Sequence, residues 1–209
     1  MARRQADKLI AEQRVTINGE VAAIGARVAT HDNVAIDGEV VTQIFSPVTL
    51  MLNKPAGYVC SRRPQGSSPT IYELLPDEYR TLKPVGRLDR NSSGLLLLTN
   101  DGDFAHQMTH PSFHKQKVYE VTLDTPLQPL HRQMISEFGV MLDDGKSQLW
   151  LERLHDGDDT AWRITMSEGR NRQIRRTFAA LGYTVTGLHR TKFGSYDLAS
   201  LPSGHHALA

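Results

Sequence analysis

Asp89 sits between Arg87 and Arg90 in Val85-Gly86-Arg87-Leu88-Asp89-Arg90-Asn91-Ser92-Ser93-Gly94, a loop-forming stretch that runs straight into four leucines at 95–98. A carboxylate can act as a nucleophile or take a proton, and neighbouring guanidiniums keep it ionised. A loop anchored on a buried strand is the support such a group needs. The plainer reading, an Asp that pairs with Arg to fix a turn, fits these residues alone and is the commoner case.

A second set of residues lies further along. Between Arg163 and Arg176 there are five arginines and a single acid, Glu168. On a helix beginning at Asn171, at about 100° per residue, Arg172, Arg175 and Arg176 fall within about a 100° arc. Ile174, Phe178 and Leu181 fall opposite, so an apolar face would anchor the helix while the arginines project together, with Arg170 in the preceding turn. Guanidinium forks suit phosphates and carboxylates. The set could grip a polyanion or lend one arginine to Asp89; a solvated helix face is the plain alternative.

Other chemistries find no support. There is no Walker A loop, no Gly-x-Gly-x-x-Gly after a strand and no Gly-x-Ser-x-Gly elbow. His106, His110 and His114 are spaced by four, but Pro111 breaks the helix that would align them, and His205-His206 reads as surface. Asp101 reads as the N-cap of a helix through about Met108 rather than as a metal ligand with Asp103. The expectation is no metal and no cofactor, an enzyme working with side chains alone.

The elements that must position these residues follow from periodicity. The spacing predicts a short helix over 3–13, then hairpins turning at Asn18-Gly19 and Asp37-Gly38. Residues 1–42 form a small module, 43–48 a linker, and 49–209 a second domain. In that domain, 50–60 read as strand, Pro-Gly turn, strand; 71–79 as a short helix; 116–124 as an alternating strand; 127–138 as a helix. A hairpin is expected over 140–145 and 148–152, a strand over 162–166, a helix over 171–181 stopped by Gly182, and closing strands over 185–193 and 196–201. The fold class expected is α+β, a mixed, mostly antiparallel sheet with flanking helices.

The 209 residues carry 39% hydrophobic and 22% charged side chains, and the formal net charge is +1. That is ordinary for a globular protein, with basic character only in local patches. The four leucines are the longest apolar run, far short of a membrane span, and the N-terminus lacks a signal-peptide core. A single cysteine, Cys60, excludes an internal disulfide. A cytoplasmic protein is expected.

Several motifs in order resemble the RsuA-type pseudouridine synthases: Asn53-Lys54-Pro55-Ala56-Gly57, Gly86-Arg87-Leu88-Asp89, Gly94-Leu95-Leu96-Leu97-Leu98-Thr99-Asn100-Asp101-Gly102, Lys117-Val118-Tyr119, Glu168-Gly169-Arg170-Asn171-Arg172-Gln173-Ile174-Arg175-Arg176 and Leu188-His189-Arg190. The stretch from Arg3 to Gly19 resembles the later part of an S4-type RNA-binding domain, whose first helix the sequence before Arg3 is too short to hold. The resemblance implies the pseudouridine synthase fold with a partial S4-like module, and isomerisation of one uridine in ribosomal RNA without cofactor or metal. It implies Asp89 as the catalytic carboxylate, Tyr119 stacking on the flipped base, Arg175 pairing with Asp89, and Leu188 beside the base. Arg87, Lys54, Arg170, Arg172, Arg176, Arg190 and, in the module, Arg3 and Arg4 become candidates for RNA contact. The expected partner is ribosomal RNA, free or within a ribosomal subunit or assembly intermediate, with no membrane and a monomeric enzyme. A catalytically silent RNA-binding protein, which would not need Asp89, and a metal-dependent nuclease are the rivals.

Overall fold

The computed structural model describes residues 3–29, 31–41 and 46–209. Residues 43–45 of the expected linker and the side chains of Arg3 and Arg4 lie outside what is described. The chain divides into two compact units, Met1–Ser46 and Pro47–Ala209.

In the first unit α1 (Arg3–Ala11) is followed by β1 (Val15–Ile17), β2 (Glu20–Val21), β3 (Val34–Ile36) and β4 (Glu39–Val40), an antiparallel sheet in the order β2-β1-β3-β4. Both hairpins turn where the sequence places them. Asn18 and Gly19 have φ of 52° and 90°, Asp37 and Gly38 of 52° and 85°, the left-handed pair that a tight two-residue turn requires. The Asp37 carboxylate accepts from Arg14 Nε at 2.9 Å, tying the second turn to the start of β1.

The second unit is built on a nine-stranded sheet. Its elements are β5 (Thr49–Lys54), β6 (Lys83–Pro84), β7 (Ser93–Thr99), α2 (Gly102–Thr109), β8 (Lys117–Leu123), α3 (Pro129–Gln133), β9 (Val140–Leu142), β10 (Gly145–Ser147), β11 (Trp150–Arg153), β12 (Ala161–Met166), α4 (Gln173–Ala179), β13 (Val185–Phe193), β14 (Tyr196–Asp197) and β15 (His206–Leu208). The order is β11-β12-β8-β13-β7-β5-β15, with β14 on β13 and β6 on β7. Every pairing is antiparallel except β13 with β7, so the sheet is mixed and mostly antiparallel, as the sequence implied.

The four leucines are the strand that both cores share. Leu95, Leu96, Leu97 and Leu98 are all fully buried. Leu96 and Leu98 face the larger core with Val121, Trp162 and Phe178, while Leu95 and Leu97 face a smaller one with Val85, Met108 and Phe193. Side chains alternate across a strand, so an unbroken apolar run marks a strand covered on both faces. Asp101 caps α2 as expected, its carboxylate accepting from the backbone N–H of Asp103 at 2.9 Å and of Phe104 at 3.1 Å.

Several boundaries differ from expectation. The helix over 71–79 is two 3₁₀ turns, Ile71–Leu74 and Asp77–Tyr79, because Pro76 holds Leu75 extended at φ −112° and ψ 142°. The helix over 127–138 is α3 followed by a π-helical turn, Met134–Phe138. The expected hairpin partner of β9 is wrong: β9 pairs with β10, while β11 joins the main sheet beside β12. The helix expected from Asn171 begins at Gln173, since Arg172 is left-handed at φ 48°.

Candidate active site

Asp89 is carried by the loop between β6 and β7, and its position is set by what holds that loop's backbone. Lys54, at the end of β5, is fully buried. Its Nζ donates to the carbonyls of Ser92 at 2.7 Å, Pro55 at 3.0 Å and Asp89 at 3.2 Å. Burial lowers the Lys54 pKa, with Cys60 and Asp89 acting the other way. The Gly57 N–H donates to Arg90 O at 2.7 Å and the Ser92 N–H to Asp89 O at 3.0 Å. Val85 and Leu88 are buried at the start of the loop. The loop is thus clamped at both ends, while the Asp89 side chain keeps 35% of its surface exposed. The expectation that Lys54 contacts RNA phosphate is corrected: an ammonium with no exposed surface, spent on three carbonyls, braces the loop.

The guanidinium beside Asp89 belongs to Arg172, not Arg175. Arg172 Nη1 lies 3.3 Å from Asp89 Oδ2. The left-handed backbone at Arg172 takes it off the helical wheel, so its direction does not follow the helix arc. Arg175, in the first turn of α4, donates through Nη1 to Val185 O at 2.6 Å and through Nη2 to Asn91 O at 2.8 Å. It therefore ties the same loop to the start of β13. Burial and the nearby Arg172 lower the Arg175 pKa, and Asp89 raises it in part.

These groups meet at a cavity of about 270 Å³. Arg87, Asp89, Tyr119, Arg170, Arg172, Arg175, Leu188 and Arg190 all line it, so eight residues chosen from sequence converge on one place. Tyr119 is 9% exposed and stands on β8 directly opposite Arg190 of β13. Lys117, two residues before Tyr119, is on the same face of β8 and also lines the cavity. Among the described residues Asp89 is the single carboxylate in the lining, set against Arg87, Lys117, Arg170, Arg172, Arg175 and Arg190. The volume is just below the ~300–1,000 Å³ of typical ligand pockets, a size for one nucleotide rather than a length of chain.

Three further arginines depart from expectation. Arg170 bonds to Asp144 Oδ1 at 2.8 Å, Gly145 O at 3.0 Å and Lys146 O at 2.9 Å, so its fork is committed to the β9–β10 turn. Arg176 does not line the cavity; it pairs with Asp143 and with Asp144, the latter at 2.5 Å. That pairing lowers the Asp144 pKa. Arg190 is 2% exposed, donates through Nε to Leu95 O at 2.8 Å and lies over the Phe193 ring at 4.7 Å. It is no surface phosphate ligand. The arginines that share an arc in sequence are divided by acids and carbonyls from distant parts of the chain.

Lys117 and Phe193 line the cavity without standing among the site residues expected from sequence. Alternation with Tyr119 on one strand face is a signal for Lys117. Phe193 has no such signal, because the strand that carries it is irregular.

A mixed sheet carrying a single carboxylate in a cavity lined by cations defines an α+β enzyme built for a polyanion, without a nucleotide-binding loop. Comparisons give the class its name. Residues 48–180 match the family model described as RNA pseudouridylate synthase. The chain is 40% identical to the ribosomal small subunit pseudouridine synthase A of Pasteurella multocida over 95% of its own length and 85% of that protein's. It is 37% identical to the ribosomal large subunit pseudouridine synthase B of Pseudomonas aeruginosa, covering 95% of this chain and 53% of that one. A crystal structure of a pseudouridylate synthase superposes with a TM-score of 0.72 at 38% identity, over 100% of this chain and 90% of the other. The chain belongs to the RNA pseudouridylate synthase family, in its RsuA-type branch, and is an RNA isomerase.

Proposed function

We propose that this enzyme converts one uridine of ribosomal RNA to pseudouridine, with Asp89 as the catalytic carboxylate. The observation that carries the reading is the lone carboxylate among six cations in a cavity the size of one nucleotide. The names of the related synthases, which state action on ribosomal subunits, support the choice of RNA.

The target base must leave its stack to be reached. Tyr119 takes the base face, with Leu188 beside it, since unstacked bases are held on aromatic planes. Asp89 acts at the ribose or base as nucleophile or proton acceptor. The C1′–N1 bond breaks with its electron pair on the base, the base turns, C5 bonds to C1′, the C5 proton leaves and N1 gains one. Nothing is oxidised or reduced, so the step needs no co-reactant. Arg172 orients the carboxylate, and Arg175 positions the loop that carries it. Arg87 is the cation for the RNA backbone at the rim. The first unit serves as a partial S4-like RNA-binding module, and the enzyme works as a cytoplasmic monomer on ribosomal RNA, free or within a subunit or assembly intermediate.

The test is tritium release from C5-labelled ribosomal RNA. Wild type releases one tritium per target uridine, and Asp89→Asn, folded, releases none. A silent RNA-binding protein would bind the RNA and leave the label in place.

A further inference from the structure

The floor of the cavity contains a buried cation with an unmet bonding need. Arg190 makes the Nε bond to Leu95 O, yet its Nη2 is buried and has no hydrogen-bond partner among the described residues. An unpaired donor on a buried cation is costly, and such groups in native proteins call for an explanation. Lys117 adds to the case. Its Nζ has only long contacts, 3.4–3.5 Å, to the carbonyls of Lys115, Ser167 and Glu168. It lies 5.4 Å from the centre of the same Phe193 ring that Arg190 covers at 4.7 Å. Two cations therefore share one aromatic ring, and burial and the neighbouring Arg190 both lower the Lys117 pKa.

Backbone irregularity puts them there. In the β13–β8 pairing Arg190 faces Tyr119, Lys192 faces Val118 and Phe193 faces Lys117, with a shift between Arg190 and Lys192. Thr191 is thus an extra residue in β13. Without it Arg190 and Phe193, three apart, would point to opposite faces of the sheet. With it Arg190, Phe193, Lys117 and Tyr119 all turn to the cavity, and bulges re-aim side chains in this way beside active sites. The close approach of β7 completes the floor. Gly94 has φ +101°, and a Cβ there would fall 2.2 Å from Arg190 O.

We infer that Arg190, flanked by Lys117, receives a carbonyl oxygen of the target uracil and stabilises the negative charge the base carries once the C1′–N1 bond is broken. This rests on the reading of Asp89 and Tyr119 above. Directly paired residues on neighbouring strands hold their Cβ atoms about 4.5–5.5 Å apart, so a base on Tyr119 has its edge beside Arg190. The phosphates stay with the RNA backbone at the mouth, whereas only the base enters far enough to meet a side chain that is 2% exposed. The electron pair released from C1′ spreads over N1, O2 and O4 of the uracil. A guanidinium that is itself shielded from solvent and held by Leu95 O favours that charge over the neutral ground state. The base re-enters the reaction through C5, whose bond to C1′ takes up that electron pair and discharges the anion; the C5 proton then leaves and N1 gains one, with no net change of charge.

Arg190→Lys and Lys117→Met are compared with wild type on RNA carrying uridine, 2-thiouridine or 4-thiouridine at the target, because sulfur accepts hydrogen bonds poorly. On uridine, Arg190→Lys lowers kcat by roughly 10²–10³-fold, the usual effect of losing one oxyanion donor, with KM within about threefold. On one of the two thio substrates the gap to wild type closes to less than about tenfold, the non-additivity of a direct contact. Lys117→Met shows the same pattern at smaller size and carries the test alone if Arg190→Lys does not fold. Equal losses on all three substrates overturn the inference. So does a loss confined to KM with a shallower salt dependence, which would assign both cations to a phosphate. A wild type that releases no tritium from any ribosomal RNA instead defeats the functional reading itself.

Discussion

Asp89 and Tyr119 differ in what surrounds them, and their substitutions should fail differently. The Asp89 side chain is 35% exposed, and its ion pair is a single contact with Arg172. Exposed pairs contribute about 0–1 kcal/mol, so Asp89→Asn melts within a few degrees of wild type while activity falls by at least about 10³-fold, beyond what a proton-transfer group alone supplies at the low end of its range. Tritium release and thermal melting on one preparation check both halves. Tyr119 is 9% exposed and packs in the larger core. Tyr119→Phe keeps the ring and therefore binds target RNA within a few-fold of wild type. Tyr119→Ala loses a stacking plane worth about 1–3 kcal/mol per base, or roughly 10–100-fold in affinity. It also opens a core cavity costing about 3–5 kcal/mol, so affinity is measured at a temperature where circular dichroism shows both variants folded. Equal affinities would remove stacking from Tyr119's role.

At the scale of elements, the site depends on a brace and on a turn. Lys54→Met leaves the carbonyls of Pro55 and Ser92 without this donor, while Asp89 O keeps only the Ser92 N–H. Orphaned buried acceptors cost about 1–3 kcal/mol each, so urea unfolding should show a loss of about 2 kcal/mol or more, and turnover should fall more than RNA affinity. The β9–β10 turn is held to α4 by Asp144, whose pKa is lowered below the usual 3.8 chiefly by its bond from Arg176. A carboxylate with a depressed folded pKa stabilises the fold above its unfolded value, and that contribution is lost as pH falls through the folded one. Asp144→Asn therefore melts lower than wild type at pH 7, and the gap narrows below about pH 4. A gap independent of pH would show that the pair does not act through charge. These elements also show how far the sequence can be read. The leucine strand, the Asn-Gly and Asp-Gly hairpins and the Asp101 cap are local, and each is recorded in adjacent residues. Tyr119 and Asp89 follow from motifs. The convergence of distant groups does not: the carbonyls that swallow Lys54, the acids that claim Arg170 and Arg176, the left-handed Arg172 that leaves the helical arc. The extra residue at Thr191 reverses the parity of β13, which is why neither Arg190's face nor Phe193's place in the cavity follows from alternation.

At the scale of the whole chain, charge is divided unevenly between the two units. Residues 1–46 hold five Lys or Arg against six Asp or Glu, so the first unit has no net positive field of its own. Two of its cations are engaged, Lys8 with Glu12 at 3.6 Å and Arg14 with Asp37 at 2.5 Å. The other three cations in its sequence are Arg3, Arg4 and Arg27. The second unit has both hydrophobic cores and every residue that lines the cavity, and the family match begins at residue 48. A chain of residues 47–209 should therefore fold and keep kcat on a short RNA that spans the target uridine. On full-length ribosomal RNA its affinity should fall. Each phosphate contact contributes about 0.7–0.9 to the slope of log K against log salt, so losing three cations should flatten that slope by about 2. Filter binding between low and moderate salt, for both chains on both RNAs, gives the four numbers needed. A slope unchanged by the deletion would mean that the first unit does not touch phosphate at all and that the cations around Asp89 supply the electrostatic grip alone. A chain that folds but loses kcat on the short RNA would instead make the first unit part of the catalytic machinery.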